Sequence, residues 1–215
     1  MLAPLYPILD ASLLTSHSLD LESIATAWQA AGVTLMQYRN KQSSARQMLR
    51  DAARMREIFP RNGIARLILN DRPDLALLAD FDGVHVGQGD VSVEDARMIV
   101  GPTRWVGVST HSSEQVVEAD KTNCDYIAYG PIFSTESKAN PDPTVGLAGL
   151  RAVRTLTAKP LVAIGGVTRK NCRSVIDAGA DSVAVISDLL PGSEKNNGIS
   201  KSARQIVEEF LALLM

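Results

Sequence analysis

Residues 67–90 read LILNDRPDLALLADFDGVHVGQGD. Two short apolar runs, "RLIL" from 66 and "GVHV" from 83, bracket a segment over 73–79 that opens on Pro73 and has helical character. Both runs are near-continuously apolar rather than alternating, the pattern of a strand buried on both faces in a helix-covered parallel sheet. Proline suits a first helical turn, because the N–H it lacks would have no intrahelical partner there. The stretch therefore reads strand, helix, strand, with polar residues, Asn70 and Asp71 in one case and Gln88 and Asp90 in the other, just past each strand.

Working outward, the same unit recurs along the chain. "LYPIL" at 5, "VTLMQY" at 33, "WVGVS" at 105, "DYIAY" at 125, "LVAI" at 161 and "SVAVI" at 182 bring the apolar runs to eight. Between them, "SLDLESIATAWQAAG" sets Leu21, Ile24, Ala25 and Trp28 at helical spacing and ends in Gly32, a C-cap signal. "SARQMLRDAARMREIF" does the same with Met48, Leu49, Ala52, Met55 and Ile58, and further helices are expected over 92–100, 112–120, 147–156, 169–178 and 200–214. Eight strand-helix units predict an α/β chain closed into a (β/α)8 TIM barrel, because open doubly wound sheets usually hold about five or six strands. The expectation is a single domain over 1–215. "PIFSTESKANPDPTVG" (131–146) and "LLPGSEKNNGISK" (189–201) read as loops, the first beside a strand end, where binding loops lie.

Composition narrows the function. The 215 residues are 45% hydrophobic and 21% charged, enough for one domain with a large core. Net charge is −2 and no Lys/Arg cluster is interleaved with aromatics, so small-molecule ligands are expected rather than nucleic acid. "MLAPLYPILDASLL" has no basic lead-in and is interrupted by Asp10, and nowhere do about 18 apolar residues run together, so neither an export signal nor a membrane span is expected and the chain reads as cytoplasmic. Cys124 and Cys172 stand far apart and form no C-x-x-C, which argues for packing roles rather than a disulfide framework or zinc. Nothing in the sequence sets the oligomeric state.

In a barrel of this kind the C-terminal strand ends carry the active site, and here those ends are polar: Gln37, Arg39 and Lys41; Asn70 and Asp71; Gln88 and Asp90; Ser109, Thr110 and His111; Thr135, Ser137 and Lys138; Gly165 and Gly166; Ser187. Arg39 and Lys41 are two apart on an extended strand end, so their side chains share a direction, a fork plus a point charge suited to a polyphosphate or simply a solvated pair. Asp71 sits where a helix N-cap would and Asp90 in a turn, yet together, opposite two cations, they suit Mg²⁺ held by one or two carboxylates with water and substrate phosphate completing the octahedron. Gly165-Gly166 follows the seventh strand, and the loops after strands seven and eight form the recurrent phosphate site of the fold, often with a short extra helix such as "SDLL". His85, between Val84 and Val86, reads as a hydrogen-bonded core histidine, whereas His111 fits an acid/base or a helix cap, and His17 has no evident partner.

These motifs, "QYRNK", "NDRPDLA", "DGVHVGQGD", "GVSTHSSEQ", "DYIAYGPIFSTESK", "LVAIGGV" and "GADSVAVIS", in this order and spacing, resemble the thiamine phosphate synthase family over nearly the whole chain. The resemblance implies a (β/α)8 transferase that joins 4-amino-2-methyl-5-hydroxymethylpyrimidine pyrophosphate to a thiazole phosphate, giving thiamine phosphate and pyrophosphate. Carried over, it implies that Gln37, Arg39, Lys41, Asn70 and Lys138 hold the pyrimidine pyrophosphate, with Mg²⁺ on Asp71 and Asp90. Ser109 is implied to contact the departing pyrophosphate, so that Arg39, Lys41, Ser109 and Lys138 carry the catalytic work, while Thr135, Ser137, Gly166, Ile186 and Ser187 receive the thiazole phosphate. Two departures stand out. The family's Thr-x-Thr-Lys reads Thr135-Glu136-Ser137-Lys138, which keeps the hydroxyl. Asp188 replaces a small apolar residue and would weaken phosphate binding if it faced inward, in which case Asp188→Ala would lower the thiazole KM. Two alternatives are a thiazole tautomerase of the related family, which shares "NDR" and "GxSxH" but has no need of Asp90, and a non-catalytic thiamine phosphate-binding protein.

Overall fold

The computed structural model describes residues 2–135, 143–192 and 201–215. Eight parallel strands close into a barrel in sequence order: β1 (Leu5–Asp10), β2 (Leu35–Arg39), β3 (Arg66–Asn70), β4 (Gly83–Val86), β5 (Trp105–Thr110), β6 (Tyr126–Tyr129), β7 (Leu161–Ile164) and β8 (Ser182–Val185). The seam closes where Leu5 of β1 pairs with Val183 of β8. All eight strands fall on the apolar runs read from the sequence.

The helices lie outside: α1 (Ala11–Ser16), α2 (Leu21–Ala30), α3 (Ala45–Ile58), α4 (Pro73–Leu78), α5 (Val93–Val100), α6 (Ser113–Lys121), α7 (Gly146–Arg154), α8 (Cys172–Asp177) and α9 (Ala203–Leu214), with a 3₁₀ turn over Ser187–Leu189. Besides α1, five open on serine or aspartate caps, Asp20, Ser44, Ser92, Ser112 and Ser202, each accepting a backbone N–H in the first turn. α1 is an addition to the sequence reading. Asp10 ends β1 and caps α1 at once, accepting the N–H groups of Ser12 and Leu13, so no loop separates the two elements. α8 begins later than expected, because residues 165–171 are used by the turn after β7. None of the helices among the described residues is long and apolar enough to cross a membrane. Both cysteines are buried and free, as packing residues.

Two apolar layers follow from strands buried on both faces. Residues such as Trp28, Met36, Tyr38, Leu69 and Phe210 pack between sheet and helices, while Tyr6, Ile8, Leu35, Ile68, Tyr126 and Val162 fill the barrel. Gly107 makes room for the Tyr126 ring, since a Cβ there would stand 2.0 Å from its Cζ.

At the N-terminal ends of the strands one device occurs three times. Asp82, Asp125 and Asp181, each just before an even strand, accept the N–H of Leu67, Val106 and Leu161 at 2.8, 2.7 and 2.7 Å on the preceding odd strand. Each also pairs with an arginine: Arg56 of α3, Arg97 of α5 and Arg154 of α7, at 2.6, 2.5 and 2.9 Å. These staples tie helix, strand and strand together at the end of the barrel away from the polar strand termini, which leaves the other end open for chemistry.

Candidate active site

At the C-terminal strand ends the barrel opens into a cavity of about 490 Å³, within the range of small-molecule sites. Gln37, Arg39, Lys41, Asn70, Asp71, Asp90, Ser109, Thr135, Gly166, Ile186 and Ser187 all line it. The remaining two expected site residues, Ser137 and Lys138, lie outside the described residues.

One wall is ionic. Arg39 is paired with Asp10, a residue that entered the sequence reading only as an interruption of the N-terminal apolar run. Burial opposes ionisation of Asp10, but the Ser12 hydroxyl, the Leu13 N–H and the Arg39 guanidinium outweigh it and hold the carboxyl below the usual range. Arg39 thus has one arm fixed while it lines the cavity. Lys41 reaches Asp71 at 3.0 Å, so the two neighbouring cations are each matched to a carboxylate from a different strand end.

Asp71 is not the helix cap that its position suggests. Arg72 occupies the cap position of α4, and Asp71 stands at φ 64°, a left-handed conformation that short polar side chains tolerate best. Its N–H donates to the His85 carbonyl at 2.8 Å, which extends the β3–β4 ladder by one bond and turns the side chain into the mouth. Burial, and then a hydrogen bond to the Asp90 carboxyl, raise the Asp71 pKa, with Lys41 only partly opposing them. Asp90 is held in turn by the Gly87 N–H at 2.7 Å. Two carboxyls kept against each other at an electrostatic cost are a donor set suited to a divalent cation. Among the described residues no group of three or more His, Cys, Asp or Glu side chains gathers to hold a metal by itself. A pair fits magnesium, which takes one or two carboxylates and completes its shell with water and phosphate.

The opposite wall is made of backbone and hydroxyls. Gly165 and Gly166 have φ of 97° and 62°, and a Cβ on Gly166 would come within 2.5 Å of the Ser134 carbonyl oxygen. Asn171 pins this turn, its Nδ2 donating to the Gly166 carbonyl at 2.9 Å and its Oδ1 accepting the Thr168 N–H at 2.7 Å. Ser187 opens the 3₁₀ turn facing it. Asp188 takes an arrangement that the sequence reading did not foresee. It points neither into the cavity nor into solvent but accepts the Arg169 N–H at 2.8 Å and the Arg169 Nε at 3.2 Å, while Arg169 Nη1 also meets Glu209 of α9 at 3.1 Å.

The floor holds His85, buried and hydrogen-bonded as expected for a core histidine, with Nε2 2.8 Å from Ser109 Oγ and Nδ1 3.1 Å from Tyr126 Oη. His111 is no helix cap, because Ser112 caps α6. Its Nδ1 donates to the Gly130 carbonyl at 2.7 Å and its ring borders the cavity. Tyr6, Ile8, Ala128, Val162 and Ala184 complete an apolar floor that sequence reasoning did not assign to the site. Only their period-two placement on strands could have pointed to them.

A family model described as thiamine monophosphate synthase matches residues 5–189. The chain belongs to the thiamine monophosphate synthase family. It is 55% identical over 212 residues to a thiamine-phosphate synthase of Koribacter versatilis, covering 98% of this chain and 95% of that protein. With a thiamine-phosphate synthase of Chloroflexus aurantiacus it shares 40% identity over 202 residues, 94% of this chain and 90% of the other. Among solved structures it superposes on a thiamine phosphate pyrophosphorylase from Pyrococcus furiosus with a TM-score of 0.81 at 32% identity, covering 98% and 94% of the two chains. The Pyrococcus furiosus protein thus shares this barrel.

Proposed function

We propose that the chain is a transferase that couples 4-amino-2-methyl-5-hydroxymethylpyrimidine pyrophosphate to a thiazole phosphate, releasing pyrophosphate and thiamine phosphate. The observation that carries this reading is a single cavity with two unlike walls, each of a kind that suits an anionic group. One presents Arg39, Lys41 and the paired carboxyls of Asp71 and Asp90; the other presents the Gly165-Gly166 turn and Ser187. One substrate carries a leaving pyrophosphate and the other only a spectator phosphate, and the walls match that asymmetry.

In the reaction, the bond from the pyrimidine methylene to the pyrophosphate oxygen breaks and a bond from that carbon to the thiazole nitrogen forms. Arg39, Lys41 and, from the sequence, Lys138 neutralise charge on the pyrophosphate, without which it leaves poorly. Ser109 contacts it as it departs, while Gln37 and Asn70 orient the pyrimidine, whose amino group stabilises positive charge on the methylene carbon. Thr135, Ser137, Gly166, Ile186 and Ser187 fix the thiazole phosphate so that its nitrogen faces that carbon, converting an encounter of two solutes into a positioned displacement. Asp71 and Asp90 would hold Mg²⁺, which supplies further charge neutralisation on the leaving group when bound. Neither a general base nor a covalent nucleophile is required, in keeping with a mouth of cations, hydroxyls and backbone.

Mass analysis of the products formed from the two substrates tests the proposal. Thiamine phosphate that appears only when both are supplied supports it. Rearrangement of a thiazole carboxylate phosphate in the absence of the pyrimidine, or tight binding of thiamine phosphate without turnover, would replace it.

A further inference from the structure

A run of hydrogen bonds crosses the barrel interior at the floor of the cavity, and packing alone gives no reason for it. Gln37 Nε2 lies 3.2 Å from Tyr6 Oη; the Tyr6 and Tyr126 hydroxyls are 2.8 Å apart; Tyr126 Oη is 3.1 Å from His85 Nδ1; and His85 Nε2 is 2.8 Å from Ser109 Oγ. Both tyrosines are almost wholly buried, and the Tyr126 ring stacks on His85 with centroids 5.5 Å apart. Phenylalanine would fill the same space without bringing two hydroxyls into the core. The ends of the chain are Gln37 and Ser109, residues on the two parts of the pyrimidine pyrophosphate in the function proposed above, and the inference rests on that reading for the role of Ser109.

The chemistry of the donors gives the chain a direction. An amide nitrogen only donates, so Tyr6 Oη accepts from Gln37. The acceptor within reach of Tyr6's own proton among the described residues is Tyr126 Oη. Tyr126 must then donate onward to His85 Nδ1, which must be bare, and the neutral imidazole carries its proton on Nε2 and gives that hydrogen bond to Ser109 Oγ. Reversing the order would leave the Tyr6 proton with no protein acceptor among the described residues, an expensive arrangement for a hydroxyl on a side chain only 1% exposed. Burial raises the pKa of both phenols, so each remains protonated and able to donate at any working pH.

We propose that Tyr6 and Tyr126 are positioning residues that set which ring nitrogen of His85 carries the proton, so that Ser109 presents its hydroxyl hydrogen, rather than a lone pair, to the anionic leaving group. With His85 Nε2 donating to Ser109 Oγ, the serine hydrogen is released from the imidazole and faces the cavity. With the opposite tautomer, Ser109 would donate to His85 and show the pyrophosphate an oxygen lone pair, which repels it. The tyrosines touch no substrate phosphate in this scheme; they act through His85.

Nitrogen-15 spectroscopy of histidine-labelled, metal-free protein at mildly alkaline pH, above the ordinary imidazole pKa of about 6.5, reads the tautomer directly. His17→Gln and His111→Gln assign the other two rings. The wild type is expected to show His85 with a bare Nδ1 and a protonated Nε2, and Tyr126→Phe to shift that ring toward a mixture. Tyr126→Phe should also lower kcat about 10-fold, less than the ~10²–10³ for deleting a direct donor, while the KM for thiazole phosphate stays at its wild-type value. Tyr6→Phe, which removes the hydrogen bonds to Gln37 and Tyr126 and with them the direction of the chain, should produce the same redistribution in smaller degree, and its His85 tautomer decides the matter if Tyr126→Phe does not fold. A protonated Nδ1 on His85 in the wild type overturns the proposal. So does a folded Tyr126→Phe or Tyr6→Phe protein with the wild-type tautomer and kcat, the result for tyrosines that only pack. If the wild type shows no coupling activity, the function reading fails, and the spectrum still judges the hydrogen-bond chain.

Discussion

Replacing Gly166 by alanine separates backbone strain from loss of a binding surface. At φ 62° an L-residue costs about 1–2 kcal/mol, partly offset by the ~0.4–1 kcal/mol that alanine gains through the unfolded chain. Gly32, at φ 88° with nothing within 4 Å of a built Cβ, carries the first cost alone and serves as the control. At Gly166 the new methyl would also stand 2.5 Å from the Ser134 carbonyl oxygen and 2.7 Å from Phe133 Cβ. Restoring ordinary contact requires one side of the turn to move by about 0.9 Å, on the scale at which misplacement costs up to ~100-fold in rate. Calorimetric titration with thiazole phosphate, alongside urea unfolding, is the assay. Gly166→Ala should weaken thiazole phosphate binding by at least about 10-fold, or ~1.4 kcal/mol, and leave pyrimidine pyrophosphate affinity unchanged, whereas Gly32→Ala should lose stability only. Wild-type affinity in Gly166→Ala, with a stability loss no larger than that of Gly32→Ala, would refute the assignment of this turn to a phosphate.

Three further outcomes are expected. Because burial and Asp90 raise the Asp71 pKa, that carboxyl favours the folded state most when protonated, and the contribution is lost as pH rises through its raised pKa; metal-free Asp71→Asn should therefore melt higher than wild type at neutral pH, by on the order of 2 °C, yet lose the stabilisation that wild type gains from Mg²⁺ and lose turnover, as scanning calorimetry and activity assays would show. Asp125→Ala breaks one staple, stranding the Val106 N–H and removing the Arg97 pair, and should cost about 2–3 kcal/mol in urea unfolding with kcat unchanged, since the staple is at the far end of the barrel. Asp188→Ala should raise the thiazole phosphate KM in steady-state assays, the opposite of what an inward-facing carboxylate predicts, because it frees Arg169 and loosens the turn that carries Ser187.

Strand order and barrel closure were legible because a strand buried on both faces needs an unbroken apolar run, and "GVHV" or "LVAI" cannot satisfy that need on a solvent-facing sheet. Polar residues after each run then had one mouth to share, and the cavity gathers all those that the structure describes except Thr110, which is buried with its hydroxyl donating to the Ala128 carbonyl. What the sequence hid was pairing. Nothing in "YPILDAS" shows that Asp10 both caps α1 and clamps Arg39, because its partners come from a local turn and from a strand 29 residues away. Asp71 looked like a helix cap since the residues around it fit that motif, but the ladder bond to His85 holds it at a positive φ and takes it out of cap position. Asp188 looked like a charge next to a phosphate. Only the fold brings Arg169 and Glu209 beside it. The Tyr6–Tyr126 contact spans 120 residues and was equally out of reach.

Pyrophosphate release from purified protein, with each substrate alone and with both, in the presence and absence of Mg²⁺, tests the central claim most directly. The account predicts release that needs both substrates and magnesium and that collapses in Asp90→Asn while thiazole phosphate still binds. Folded protein that binds both substrates but releases nothing, or an Asp90→Asn variant with wild-type turnover, would contradict it.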